Sequence, residues 1–202
     1  MAARKKQSRP TLTRKVPGRR PGRANSRGAI LDAARACFAR DGYEATTIRG
    51  VASGAGVHPS LVMQFYGSKE GLFIAMMEQA AGKSDLLLAI LTGPRPGMGA
   101  RLTRAYLEQW EDPVTGDKLR SLFRAAVGSP RASSLYKNVM AETLMKSDLP
   151  VPRRLPSLLA VTHLLGTAIG RYIIELPGLV EPSLDELVRL ISPTIDRYFD
   201  AD

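Results

Sequence analysis

The chain has 202 residues, 44% of them hydrophobic, enough for one or two domains with a sizeable core. A single cysteine excludes an internal disulfide, and two histidines leave no metal-ligand cluster, so no cofactor or metal site is expected. The formal net charge of +10 is localised: residues 1–28 hold ten of the 29 Lys and Arg and no acid, which leaves 19 basic against 19 acidic residues beyond them.

Residues 1–24 are read as a disordered basic arm. Pro10, Pro17, Gly18, Pro21 and Gly22 interrupt it, and Leu12 and Val16 are its only bulky aliphatic residues, too few for a core. The prolines and glycines spoil an amphipathic transit helix, and the apolar centre of a secretory signal is missing, so a cytoplasmic protein is expected. Arg19, Arg20 and Arg23 lie in Pro-Gly-Arg-Arg-Pro-Gly-Arg, loosely similar to arginine hooks that lie in a DNA minor groove. The competing reading is a solubilising tail.

The first helix is expected from a cap at Asn25 or Ser26 to about Asp41, with Ile30, Leu31, Ala34, Cys37 and Phe38 as its buried stripe. Cys37 reads as a small core residue. Gly42 is expected to end the helix in a left-handed conformation, and Tyr43 to turn the chain inward. Thr46 is the expected cap of a second helix, about Thr47 to Ser53, with Ile48, Val51 and Ala52 on one face. After the turn Gly54-Ala55-Gly56, a third helix begins near His58 with Pro59 at its first position. Val62 and Tyr66 point inward from it, while Pro59, Ser60, Met63 and Gln64 face out. Two short helices around a glycine turn, with an outward polar face on the second, form a helix-turn-helix pattern.

Around that pattern stand Ile30-Leu31, Ala33-Ala34, Phe38, Gly42-Tyr43, Thr46-Thr47, Val51-Ala52, Ala55-Gly56-Val57, Tyr66 and Ser68-Lys69-Glu70-Gly71-Leu72. In order and spacing they strongly resemble the TetR family of bacterial transcriptional regulators. The resemblance implies an all-α protein with a three-helix helix-turn-helix DNA-binding domain, placed at 25–70, and a helical ligand-binding and dimerisation domain, placed at 71–202. It implies that Thr47, Arg49, His58, Pro59, Ser60, Met63, Gln64 and Lys69 meet double-stranded DNA. Arg49 has the fork that bonds guanine twice, and Gln64 the amide that pairs with adenine. Lys69 matches a lysine that lies against phosphate. The chain departs from the family's pattern at His58, where a serine cap is usual, at Met63, where tyrosine is common, and at Phe65, where histidine is common.

Beyond the head, helical patterns run from Leu72 to Ala81 and from Leu86 to Leu91, and Gly93 to Gly99 is a break. Further helices are expected to about Glu111, from Asp112-Pro113 to Gly128, and from Pro130 to about Lys146. Leu155 to Glu175 is the most apolar stretch, but His163 and Arg171 interrupt it and argue against a membrane span. Pro177-Gly178 turns the chain into a last helix, about Ser183 to Phe199, which Pro193 is expected to kink. The resemblance implies that this final hairpin forms a homodimeric four-helix bundle. Leu158, Leu165, Gly166, Ile169, Gly170, Leu187, Ile191, Ile195 and Tyr198 are its expected interface. It also implies a pocket for a small-molecule effector among the middle helices, with Tyr106, Trp110, Phe123, Met140, Leu144 and His163 as its expected lining.

No paired carboxylates, Gly-rich phosphate loop or nucleophile–base pair supports an enzyme. The expected function is a sequence-specific DNA-binding transcriptional regulator, a repressor released by a small-molecule ligand, acting on a pseudo-palindromic operator. The alternative is a sequence-tolerant, nucleoid-type DNA binder.

Overall fold

The computed structural model describes residues 23–80, 84–146 and 149–200, and every regular element among them is an α-helix. Helices α1 (Arg23–Ala45), α2 (Ile48–Gly54), α3 (Pro59–Tyr66) and α4 (Lys69–Ala80) build a head. Helices α5 (Ser84–Thr92), α6 (Met98–Glu111), α7 (Pro113–Val127), α8 (Pro130–Lys146), α9 (Val151–Tyr172), the one-turn α10 (Pro177–Val180) and α11 (Leu184–Phe199) build a body. The all-α architecture read from the sequence is the one the chain adopts.

Side-chain caps fix most helix starts. The Asp112 carboxylate accepts the Thr115 N–H at 2.7 Å, with Pro113 opening α7 where a missing N–H costs nothing. The Ser129 hydroxyl accepts from Ala132 at the start of α8, and that of Ser183 accepts from Glu186 at the start of α11. Four local expectations are corrected. Helix α1 already runs from Arg23, so Asn25 and Ser26 lie inside it and neither is its cap. Thr46 does not cap α2, because its hydroxyl turns inward and donates to the Gly42 carbonyl at 2.7 Å. Thr47, in extended conformation, takes the role and accepts from Gly50 N–H at 3.0 Å. The Pro177-Gly178 turn is wound into α10, and Pro193 stands inside α11. Gly42 has the foreseen positive φ of 75°, but its ψ of 174° is extended, not left-handed helical.

The head core joins Ile30, Ala34 and Phe38 of α1 to Tyr43, Val51, Val62, Leu72, Phe73 and Met76. Phe38, Tyr43 and Phe73 meet with ring centroids 5.2–5.6 Å apart, one pair stacked and two edge-on. The boundary expected at residue 70 cuts this core, because Leu72, Phe73, Met76 and Met77 pack with α1. The core also extends past the head: Leu122, Ala125 and Ala126 of α7 and Ala132 of α8 are buried in it. Two polar links run alongside. The Ser129 hydroxyl donates to the Glu44 carboxylate at 2.5 Å, and Arg131 pairs with Glu70 at 2.5 Å. A half-exposed ion pair contributes about 0–1 kcal/mol, whereas burying a leucine such as Leu122 contributes about 1.5–3 kcal/mol. The shared apolar packing therefore dominates the tie between head and body.

In the body, α6 and α11 lie in close contact. A Cβ on Gly99 would fall 2.4 Å from the Ser192 carbonyl oxygen, and the Gly99 N–H donates to the Asp196 carboxylate at 2.6 Å. Only glycine allows that approach. Around this crossing Met98, Leu102, Leu164, Ile195 and Phe199 form one buried cluster, and Leu107, Trp110, Ala168 and Leu187 another. Leu119 and Phe123 of α7 pack on the second cluster. Helix α7 thus faces the head core on one side and the body core on the other.

Candidate nucleic-acid interface

Helices α2 and α3 are held by buried Val51, Ala52 and Val62, which fix the pair against α1 and α4. Between them Gly56 sits at φ 64°, and Val57 N–H donates to Ala52 carbonyl at 2.9 Å, closing α2 before α3 begins. Arg49 and Gly50 at the start of α2 are exposed, as is the capping Thr47. On α3, His58, Ser60, Met63 and Gln64 are exposed, Met63 by 46%, and Pro59 is half-buried. Of the outward set expected from the sequence, Ser60, Met63 and Gln64 are thus exposed and Pro59 is half-buried.

His58 earns its place as the α3 cap. Its Nδ1 accepts from the Ser60 N–H at 3.3 Å and lies 2.8 Å from the Ser60 hydroxyl. A neutral ring that accepts at Nδ1 carries its proton on Nε2, which keeps one donor for a ligand. Met63 presents an apolar surface and Gln64 both an amide donor and an acceptor. Phe65 and Tyr66 are half-buried at the end of the helix, and Tyr66 hydroxyl donates to the Arg27 carbonyl at 3.2 Å. Burial pushes the Tyr66 phenol above its ordinary value, which keeps it a donor.

Lys69 is placed differently from its neighbours. Its ammonium donates to the carbonyls of Tyr43 at 2.9 Å and Glu44 at 3.1 Å, and it lies 4.6 Å from the Tyr43 ring centroid. It ties the start of α4 to the end of α1. Beside it the Ser68 hydroxyl accepts from Gly71 N–H at 3.0 Å, and a Cβ on Gly71 would stand 2.1 Å from the Tyr66 carbonyl. Arg19 and Arg20 lie outside the described residues. Arg23 opens α1, with its side chain outside the described set.

The expected dimer residues divide. Leu158 and Gly166 are exposed, and Leu165, Ile169, Ile191 and Tyr198 are half-buried. Gly170, Leu187 and Ile195 are buried within the protomer and cannot face a partner. A Cβ on Gly170 would meet Leu179 of α10 at 2.7 Å, while around Gly166 nothing lies within 4 Å. The continuous small-residue strip expected across both glycines is thus half covered by α10. Val151, Leu155 and Leu159, exposed by 71%, 63% and 43%, extend the outward face of α9 past Leu158, and Leu190 lies outward on α11. Their four- and three-residue spacing along α9 was the available signal.

Of the expected ligand lining, Trp110 is buried and stacked on Tyr172 at 5.9 Å, Tyr106 is half-buried against both body clusters, and Phe123 is half-buried against the second. His163 lies 3.2 Å from the Tyr198 hydroxyl, Met140 is exposed, and the Leu144 side chain lies outside the described set. Tyr106 keeps accessible surface, yet desolvation drives its phenol far above the ordinary value, with Tyr136 of α8 nearby. Tyr136, itself raised by burial, was not foreseen. A separate open hollow of about 460 Å³ lies between α1, α3 and α4, lined by residues that include Arg27, Leu31, Phe65, Tyr66 and Glu78.

Residues 30–76 match the family model of bacterial regulatory proteins, tetR family, and residues 97–199 match that of the tetracyclin repressor-like C-terminal domain. The chain is 39% identical over 59 residues to the HTH-type transcriptional repressor AcnR of Corynebacterium glutamicum, 29% of this chain and 31% of that one. It thus spans about a third of the length of the curated relatives it matches. A TetR-family regulator from Streptomyces coelicolor A3 is 32% identical over 91% of this chain and 99% of that one, with TM-score 0.64. SmeT in complex with triclosan shares the fold at TM-score 0.62 and 20% identity, over 87% of this chain and 90% of that one.

Proposed function

The chain belongs to the TetR family of bacterial regulatory proteins, and from that premise we propose that it is a sequence-specific, homodimeric transcriptional repressor released from its operator by a small molecule. The observation that carries this reading is the outward surface of α2 and α3. Thr47, Arg49, His58, Ser60, Met63 and Gln64 stand exposed there on helices anchored by buried Val51 and Val62. Arg49 and Gln64 read base edges, His58 and Ser60 hold phosphate or base, and Met63 touches an apolar base edge. The basic arm, with Arg19, Arg20 and Arg23, follows the neighbouring minor groove.

The outward apolar face of α9, joined by Leu190 of α11, pairs two protomers across a twofold axis. Two heads on one face of B-DNA then stand about 34–36 Å apart and recognise a pseudo-palindrome. The effector is received in the body beside Tyr106, Phe123 and Tyr136, half-buried aromatic side chains of α6, α7 and α8. Helix α7 carries the signal, since Phe123 faces the body and Leu122 the head core. No helix among the described residues is long and apolar enough to cross a membrane, in keeping with a cytoplasmic regulator.

Selection of bound sites from random double-stranded DNA tests the reading. The expected outcome is a two-part consensus with dyad symmetry. Binding without a consensus would instead support a sequence-tolerant, nucleoid-type protein, which leaves Arg49 and Gln64 without a role.

A further inference from the structure

The described arginine side chains of the head divide into two kinds. Arg35 pairs with Asp32 at 2.6 Å and Arg40 with Asp41 at 2.6 Å. Arg27 and Arg49 are exposed and have no carboxylate partner among the described residues. Arg49 lies on the surface already assigned to DNA. Arg27 is left over, and it is not loose: its guanidinium carbon lies 5.0 Å from the Phe65 ring centroid, while its carbonyl accepts from the Tyr66 hydroxyl at 3.2 Å. Backbone and side chain of one residue are both seated on the last turn of α3.

That place has a specific electrostatic need. Helix α3 has eight residues, about 12 Å at 1.5 Å per residue, and the major groove is about 12 Å wide. A helix of that length laid across the groove brings both ends near a phosphate strand. Its first end is suited to phosphate by its unpaired N–H groups and dipole. Its last end carries partial negative charge, which repels phosphate, and the last turn holds no basic residue. Lys69, next in sequence, is occupied by the Tyr43 and Glu44 carbonyls. Arg27 supplies from α1 the charge that α3 lacks. Glu78 lines the hollow beside it but forms no ion pair with it.

We infer that Arg27, held on the Phe65 ring, is a phosphate-binding residue at the carboxy-terminal end of the reading helix, with Phe65 its positioning residue. The inference rests on the DNA-reading assignment above. A guanidinium stacked on an aromatic face loses little further freedom on binding and keeps its edge donors open. Phe65, a departure from the family's common histidine, thereby becomes a DNA-binding determinant without touching DNA.

The test uses the full chain and the operator selected by the wild-type protein. Affinity is measured from 1 M to 0.1 M salt, with phosphate ethylation interference on the same duplex. Arg27→Gln, which keeps a stem over the ring and removes the charge, is expected to reduce the salt slope by about 0.9 per protomer, about 1.8 per dimer. Over that tenfold salt range the difference opens a gap of about 60-fold in affinity. One ethylation-sensitive phosphate per half-site is expected to disappear, with base preferences intact. Arg27→Lys should retain the slope, and Phe65→Leu should keep the slope while weakening binding at every salt. Far-UV circular dichroism at the assay temperature keeps folding separate from contact. Wild-type slope and interference in Arg27→Gln overturn the inference while the DNA-reading assignment stands. A wild-type protein that selects no consensus overturns that assignment instead.

Discussion

Helices α3 and α9 both turn a side outward, and they leave opposite chemistry there. The outward side of α3 carries His58, Ser60 and Gln64, with hydrogen-bonding groups left for a partner, and Met63 as its apolar exception. The outward side of α9 carries Val151, Leu155, Leu158 and Leu159, exposed by 43–71%, with Thr162 and Gly166 continuing it. A polar face exchanges hydration for other hydrogen bonds, so it suits a hydrated, directional partner such as a DNA groove. An apolar face gains most by meeting another apolar face, and a contiguous patch of this kind marks a protein contact. On the proposed reading, the two surfaces divide recognition from assembly.

The largest test breaks assembly. Gly166→Leu has room in the protomer, where nothing lies within 4 Å, and replaces a helix-weakening glycine. It is expected to leave each protomer folded, convert the proposed dimer to monomer in sedimentation at micromolar concentration, and lower operator affinity by about a thousandfold or more as one half-site is lost. A dimer that persists with Leu at 166 would move the interface away from this face of α9. Gly170→Leu is the contrast: it collides with Leu179 of its own chain, so a lowered melting temperature is expected.

Next in size is removal of residues 1–24, which takes away nine positive charges. If three or four arm residues per protomer touch phosphate, the salt slope of the dimer drops by roughly 5–7, and affinity at low salt falls by orders of magnitude. The preferences set by Arg49 and Gln64 are expected to survive, with only A·T preference in the flanks fading. An unchanged slope would reduce the arm to a solubilising tail. Smaller again are Gln64→Ala and Arg49→Ala, each expected to cost roughly 1–3 kcal/mol on the selected site and to relax one position per half-site. Competition against single-base variants of the operator measures this. Selectivity retained in both would place the reading elsewhere on the head. The smallest is Thr47→Ala, which removes the α2 cap for about 1 kcal/mol of stability. Urea unfolding should show it, whereas Thr46→Ala should act through the lost bond to Gly42 within the buried core.

The head was legible because its signals are local. A proline at the first turn of α3, a glycine at φ 64° and apolar residues at helical spacing each speak for positions within a few residues. The choice between Thr46 and Thr47 as cap was not legible, since adjacent threonines differ only in which one the core draws inward. Lys69 was read as facing phosphate, but its ammonium is set by carbonyls 25 and 26 residues earlier, a tertiary contact no spacing reveals. Gly170, Leu187 and Ile195 were misplaced because α9 and α11 have apolar residues on more than one side. Periodicity finds each face without saying which is turned to α6 or covered by α10. Tyr136 escaped notice for a similar reason, an aromatic on α8 whose neighbour lies on α6.

The core that runs from α1 through α7 has a consequence for motion. Because Leu122, Ala125, Ala126 and Ala132 belong to the same packed cluster as Ile30 and Phe73, the head's interior is continuous with α7 and loses part of its packing if α7 leaves. Opening of the head and opening of the body are then expected to be coupled. A compound that binds only the body should slow amide hydrogen exchange in α1 and α4 by the factor it contributes to global stability. The head's own exchange rates would serve as a gauge for effector binding, with no DNA in the tube.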